Sequence, residues 1–421
     1  MKNNLPKSSV IILIVLLFSA ISAVAGPTAV NSAQVATDKA KAAAGPLVAE
    51  TSADRTDPQP LGCILPLTGR FAAYGNRVLE AIILAAGLFD PHKQSPVKLL
   101  IEDSESRPEK VREAVFKLVN AGAVAIIGPL GSDESEVAAP EAQRWKIPLL
   151  TLTQKEGITD AGPYVFRNFL SGSLQVKTLV KFAMGDLQLR KFAVLYPDDG
   201  HAPEIVKLFY QEVTRRKGSI VWAEPYKNDQ TNFSEQIRKL VGTMEITRAG
   251  DEVADQPPSK TINFEALFIP DSYPAVKMIV PQLVYNDIRG VRLLGLNGWN
   301  SRELLAMEDG YLEGAIFTDG FFVESSYPGV IDFVDKFYAA YGREPDVMEA
   351  QVFDTAGMAV SNILENKGAT REKFRDGLQG IRAYPGVTGR TSFSATREAE
   401  KDAFVLTVKD GKIIQVKQGD K

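Results

Sequence analysis

Leu61-Gly-Cys-Ile-Leu-Pro-Leu-Thr-Gly-Arg-Phe-Ala-Ala-Tyr-Gly75 begins as an apolar strand, Leu61 to Pro66, and ends as a loop of small residues around two aromatics. A helix follows, with Val78, Ile82, Ala85 and Phe89 on one stripe. Val97 to Ile101 reads as the next strand, and a helix opens at Pro108 with Val111, Val115 and Leu118 facing inward. Ala123–Ile127 (strand), Glu134–Trp145 (helix) and Ile147–Leu152 (strand) continue the rhythm. Near-continuous apolar strands separated by amphipathic helices predict a parallel sheet covered on both faces.

The rhythm then restarts. Phe192–Tyr196, Ser219–Ala223, Ala266–Ile269 and Val291–Leu294 read as strands, and Pro203–Lys217, Phe233–Glu245 and Tyr273–Tyr285 as helices. Thr247–Lys260, with Pro257-Pro258, reads as an exposed insertion. Pro328–Tyr341 and Val347–Glu365 are long helical stretches, and Phe404–Val416 is a hairpin turning at Asp410-Gly411. The economical fold is α/β, with two doubly wound parallel-sheet lobes. Ligands of such sheets sit beyond the carboxyl ends of the strands, here in a cleft between the lobes.

Lys2 and Lys7 precede the uncharged apolar run Val10–Val24, which ends in Ala-Val-Ala25. This predicts a signal peptide cleaved after Ala25 and an exported, periplasmic protein, because the run is shorter than the roughly 20 apolar residues of a membrane span. Residues 26–60 hold almost nothing large and apolar and read as a flexible tether. A net charge of -4 gives no general attraction for nucleic acid or anionic lipid. The single cysteine, Cys63, precludes an internal disulfide and reads as a small buried hydrophobe of its strand.

Two loops follow strands and would face the cleft. One is Leu67–Gly75. The other, Gly128-Pro-Leu-Gly-Ser-Asp133, opens a helix, so free N–H groups and a hydroxyl are available for an anion such as a carboxylate. The competing reading is that Ser132 or Asp133 only caps its helix. Neither phosphate-binding glycine pattern occurs. With two histidines, one cysteine and no Gly-x-Ser-x-Gly elbow, neither a metal site, a cofactor nor an enzyme is expected.

Taken together, Pro66-Leu-Thr-Gly-x-x-Ala-x-Tyr-Gly75, Ile126-Ile-Gly-Pro-Leu-Gly-Ser132, Ile147-Pro-Leu-Leu-Thr151, Tyr196-Pro-Asp-Asp-Gly-His201 and Gly389-Arg-Thr-Ser-Phe393 resemble the type I periplasmic binding proteins of the leucine/isoleucine/valine-binding group. The resemblance runs from about Leu61 to Val416. It implies a receptor whose lobes close over a small molecule for an ABC permease. It also implies a three-strand hinge, with crossings near Asn168, Thr318 and Ser394. Lobe 1 is then 61–168 with 319–394, lobe 2 is 169–318 with 395–416, and 417–421 is a tail.

By the same resemblance, Tyr74 covers the ligand, Ser132 donates to its carboxylate and Tyr273 meets it from the second lobe. His201 stands where a tyrosine is usual, or is simply a polar loop residue. The loop Thr151-Leu-Thr153-Gln154-Lys155 looks shortened, and Asn297 occupies the place of the acid that pairs with an amino acid's ammonium. Lys155 either repels an ammonium in the cleft or pairs with Glu156 at the surface. Asn297 offers only neutral dipoles where a charge-assisted bond would be about twice as strong, so the expected ligand is a carboxylate without an obligatory amine. The alternative is a regulator on this fold, similar to activators of penicillin-binding proteins, acting on an envelope protein partner.

Overall fold

The computed structural model describes residues 57–89, 94–241, 262–306, 310–366 and 370–416. The expected signal peptide, most of the tether, the 247–260 insertion and the 417–421 tail lie outside the described residues. The first lobe is built on β1 (Gln59–Leu65), α1 (Ala72–Ala85), β2 (Val97–Asp103), α2 (Pro108–Asn120), β3 (Ala125–Ile127), α3 (Ser132–Arg144), β4 (Leu149–Thr151) and β5 (Val165–Arg167). Its strands are all parallel, in the order β2-β1-β3-β4-β5. Leu61, Cys63 and Leu65 pack with α1 residues Val78 and Ile82 on one face, and Ile64 packs with Val111, Val115 and Leu118 of α2 on the other. Both faces are thus covered, which is why β1 reads as unbroken apolar sequence rather than alternating. Cys63 is fully buried, and burial pushes its thiol up to about 12.

The second lobe repeats the plan with α4 (Gly172–Gly185), β6 (Lys191–Pro197), α5 (Ala202–Arg215), β7 (Ser219–Tyr226), α6 (Ser234–Leu240), β8 (Ala266–Phe268), α7 (Tyr273–Tyr285), β9 (Arg292–Gly295) and β10 (Ile316–Asp319). The chain then runs through α8 (Pro328–Tyr341), α9 (Val347–Glu365) and α10 (Arg371–Gly380), followed by the small antiparallel sheet of β11 (Tyr384–Gly386), β12 (Gly389–Phe393) and β13 (Ala399–Lys401). It ends in the hairpin β14 (Phe404–Lys409) and β15 (Lys412–Gln415), where β14 runs antiparallel beside β10. The order in this sheet is β15-β14-β10-β9-β8-β6-β7. Asp410 and Gly411 both take positive φ (50° and 68°) at the turn, as a two-residue hairpin loop requires.

Helix α9 returns the late segment to the first lobe. Its start is a capping box, in which the Asp346 side chain accepts from the N–H groups of Met348 and Glu349 while Glu349 accepts from Asp346 N–H. The Glu349 carboxylate also takes Arg77 Nε from α1 (2.6 Å) and Arg343 Nη1 (2.7 Å). A second buried cluster holds the small sheet to α9. Asp354 accepts from the N–H groups of Val387 and Thr388 and from the Thr388 hydroxyl, which in turn accepts from Lys401 Nζ at 2.6 Å.

Strand membership shows where the chain passes between the sheets. It leaves the first after Arg167 and the second after Asp319, and it re-enters the second at Phe404, past the expected Ser394 and just beyond β13. The first two passages lie side by side, since a Cβ on Gly320 would stand 3.0 Å from Leu170 Cδ2. The sequence reading missed β5, α4, β10, α10 and the three strands β11–β13 of the small sheet. Helix α4 left a signal in Ser171, whose hydroxyl accepts from Leu174 N–H as an N-cap. The short strands β5 and β10, of three and four residues, are too brief to show a period.

Candidate functional site

Each parallel strand ends in a loop on the same side of its sheet, and the candidate residues lie on those loops or in the first turn of the helices they lead into. Tyr74 follows β1, Ser132 follows β3, and Thr153, Gln154 and Lys155 follow β4. In the second sheet His201 follows β6, Tyr273 follows β8 and Asn297 follows β9. Both sheets share one winding. In the first, the order reverses between β1 and β3, and in the second between β6 and β8. A crevice opens where connections diverge to opposite faces. Tyr74 and Ser132 flank that point in one lobe, and His201 and Tyr273 flank it in the other.

The loop carrying Tyr74 is held by a residue that sequence reasoning passed over. Register sets Asp103 opposite Leu65, so its carboxylate reaches across to the loop. It accepts from the N–H groups of Leu67 (2.9 Å) and Thr68 (3.2 Å), from the Thr68 hydroxyl (2.6 Å) and from Glu105 N–H (2.8 Å). Partial burial works against the charge. The Thr68 hydroxyl and the three amides outweigh it and hold the Asp103 carboxyl below the usual carboxylate range. The Ser106 hydroxyl adds a bond from Phe71 N–H at 3.0 Å. Tyr74 stands 49% exposed in the first turn of α1, and its neighbour Gly75 has no room for a side chain, since a Cβ would come 2.2 Å from Pro66 O.

At α3 the competing reading of Ser132 is removed. Gly131 is the N-cap, no side chain caps the helix, and the Ser132 hydroxyl lies 3.2 Å from that of Thr153. Gly128 permits the turn into this loop with φ 93°, where a Cβ would strike Ile64 O at 2.3 Å. The N–H groups of the first helical turn have no intrahelical acceptor. Glu134, in that turn, is buried with Oε1 unpartnered.

Lys155 does not stand free. Its ammonium pairs with Glu136 of α3 rather than with Glu156, both side chains being about half exposed. Its backbone N–H donates to the Thr153 hydroxyl at 3.1 Å, while Gln154 is exposed and its carbonyl accepts from Arg167 Nη1 at 3.0 Å. Thr153 itself is fully buried.

In the second lobe Asn297 is exposed at the start of a short 3-10 turn, and its N–H donates to Gln175 Oε1 of α4 at 3.0 Å. The Asp271–Tyr273 and Asn297 loops touch, because a Cβ on Gly298 would stand 3.0 Å from Ser272 Cα. Asp271 is occupied locally, accepting from the Tyr226 hydroxyl at 2.5 Å and from Ser272 N–H at 2.6 Å. His201 is exposed and precedes α5 without capping it. A cavity of about 470 Å3 lies elsewhere, at the amino ends of β8 and β9 among Glu265, Leu283 and Arg292. Among the described residues no group of His, Cys, Asp and Glu could hold a metal ion, and no helix is long and apolar enough to cross a membrane.

Comparison with known proteins follows this geometry. A family model described as periplasmic binding protein matches residues 58–243 and 280–412. No curated protein matches the chain by sequence. Among solved structures, one from Rhodospirillum rubrum described as a branched-chain amino acid ABC transporter aligns over 86% of this chain and 100% of its own, with TM-score 0.77 and 23% identity. The branched-chain amino acid transporter substrate binding protein of Streptococcus pneumoniae in complex with isoleucine covers 86% and 100%, with TM-score 0.58 and 22% identity. A solute binding protein of R. palustris in complex with benzoate covers 86% and 96%, with TM-score 0.57 and 18% identity.

Proposed function

This chain belongs to the periplasmic binding protein family, and from that premise we propose that it is an exported receptor capturing a small carboxylate-bearing molecule between its lobes for an ABC transporter. The observation that carries this reading is the placement of candidate residues at the switch point of each lobe. Ser132 offers a hydroxyl, backed by that of the buried Thr153, at the uncapped start of α3, which suits an oxyanion. Isoleucine and benzoate, held by two of the similar structures, have a carboxylate as their one polar group in common. With Lys155 paired to Glu136 at the surface, the argument against an obligatory amine rests on Asn297, which offers an ammonium no opposite charge. The apolar run Val10–Val24 and the small residues ending at Ala25 support export by a cleaved signal peptide.

A thermal-shift screen tests the ligand class. A ligand at one hundred times its dissociation constant stabilises the folded state by about 2.7 kcal/mol. Organic and aromatic acids are expected to raise the melting temperature more than leucine, isoleucine or valine. A larger shift with leucine would sink the amine-free reading.

Ser132→Ala is expected to weaken the best acid about tenfold to a hundredfold, the range for losing a hydrogen bond to a charged group. Unchanged affinity in a folded variant would remove Ser132 from the site. The same acid should shrink the particle in X-ray scattering as the lobes close, and an unaltered curve at saturation would count against closure.

A further inference from the structure

We propose that Arg167 is a positioning residue that ties the loop Thr153–Lys155 to the strand segment leading into the third passage between the lobes. The proposal rests on the reading of that loop as part of the ligand site. Arg167 ends β5, and its side chain is only 5% exposed. One arm of its guanidinium, Nη1, donates to Gln154 O at 3.0 Å, and Nε donates to Glu398 Oε2 at 2.6 Å. Its backbone N–H also donates to Arg397 O at 3.1 Å, and Arg167 and Glu398 form an isolated parallel bridge. The other oxygen of Glu398 accepts from the Thr159 hydroxyl at 3.2 Å, and Arg397 Nη2 donates to Thr159 O at 2.9 Å.

The guanidinium therefore joins two segments more than two hundred residues apart in sequence. One carries Thr153 and Lys155, and the other continues through β13 into β14 of the second lobe. A planar fork holds both partners at fixed angles, which an ammonium cannot do. The next residue, Asn168, extends the link, with its N–H on Thr151 O at 3.0 Å and its side chain on Thr355 at 2.7 Å. A twist of the third passage during lobe closure would thus reach the loop through Arg167, and a settled loop would favour one arrangement of that passage.

Two variants of the full-length chain test this without a ligand. Arg167→Lys keeps the charge but cannot hold both acceptors, and Glu398→Gln keeps the shape but loses the charge. Backbone order parameters at Thr153–Gly157 should fall in both from about 0.85 towards 0.6, while those of Leu61–Leu65 stay unchanged. If the ordered loop is then populated about one-tenth of the time, the best acid from the screen binds about tenfold more weakly.

Unchanged order parameters in folded variants would overturn the proposal. So would failure of both variants to fold, which would make the pair a general staple rather than a positioning device. A loosened loop that binds the acid as tightly as the native protein would instead overturn the reading of the loop as part of the site.

Discussion

Lys401→Met is expected to lower the stability of the protein by about 3–5 kcal/mol, the usual cost of leaving a buried charge without its counter-charge, here linked to Asp354 through the Thr388 hydroxyl rather than by direct contact. Lys401 is 7% exposed, and burial brings its ammonium down to about 8 against the pull of Asp354. Asp354 is 1% exposed, and burial raises its carboxyl despite Lys401, Thr388 and Val387. The substitution leaves that carboxylate in the interior without a counter-charge. Its remaining donors are Val387 N–H, Thr388 N–H and the Thr388 hydroxyl. Urea unfolding should show a lower midpoint with an unchanged slope. Adding Asp354→Leu should recover only part of the loss, because the two backbone N–H groups then lack an acceptor. A loss below about 1 kcal/mol for Lys401→Met would mean the pair is solvated and the small sheet is held by packing alone.

Glu349→Ala should cost about 3 kcal/mol, the lower end of the same range. Its side chain is fully buried, but Arg77 and Arg343 keep Asp346 and Glu80 as partners and are 38% and 34% exposed, so neither charge is stranded. The variant also loses half of the capping box that starts α9. Burial opposes the charge of Glu349, yet the hydrogen bonds of Arg77, Arg343 and Asp346 hold its carboxyl well below the ordinary value of 4.5. For a carboxyl so depressed, the unfolded chain binds the proton first. Its stabilisation is therefore present above about pH 4.5 and drains away as the pH falls further. The gap between native and Glu349→Ala stability should shrink on acidification below that point. A gap independent of pH would show that the loss is one of packing rather than charge.

Much of the fold was legible because long amphipathic helices and buried strands obey simple periods. Pro328–Tyr341 and Val347–Glu365 are helices with the bounds their sequence suggests, since Pro328 opens one at its first position and Gly342 closes it with a positive φ, while Asp346 and Glu349 start the other. Segments such as β5 and β10 were not legible, because a strand of three or four residues is specified by its neighbours and not by its own alternation. The small sheet β11–β13 is likewise held from outside, through Asp354 on α9.

The site divides in the same way. As a candidate, Ser132 was reachable from its place just past an apolar strand, since a strand's carboxyl end is where a doubly wound sheet receives its ligand, whereas Thr153, Tyr273 and Asn297 were candidates only through the family resemblance. No local signal, however, says that Asp103 holds the Leu67–Thr68 turn, that Glu136 takes the charge of Lys155, or that Arg167 spans Gln154 and Glu398. Those partners are 35, 19 and 231 residues apart in the chain or on separate elements, as Thr68 and Asp103, Glu136 and Lys155, and Arg167 and Glu398 show. By itself the sequence determined the long helices and most of the buried strands, because helix and strand periods and turn residues act over a few positions. Only the tertiary structure decided which charges those loops present, because a side chain's partner depends on strand register and helix packing that bring distant segments within hydrogen-bond reach.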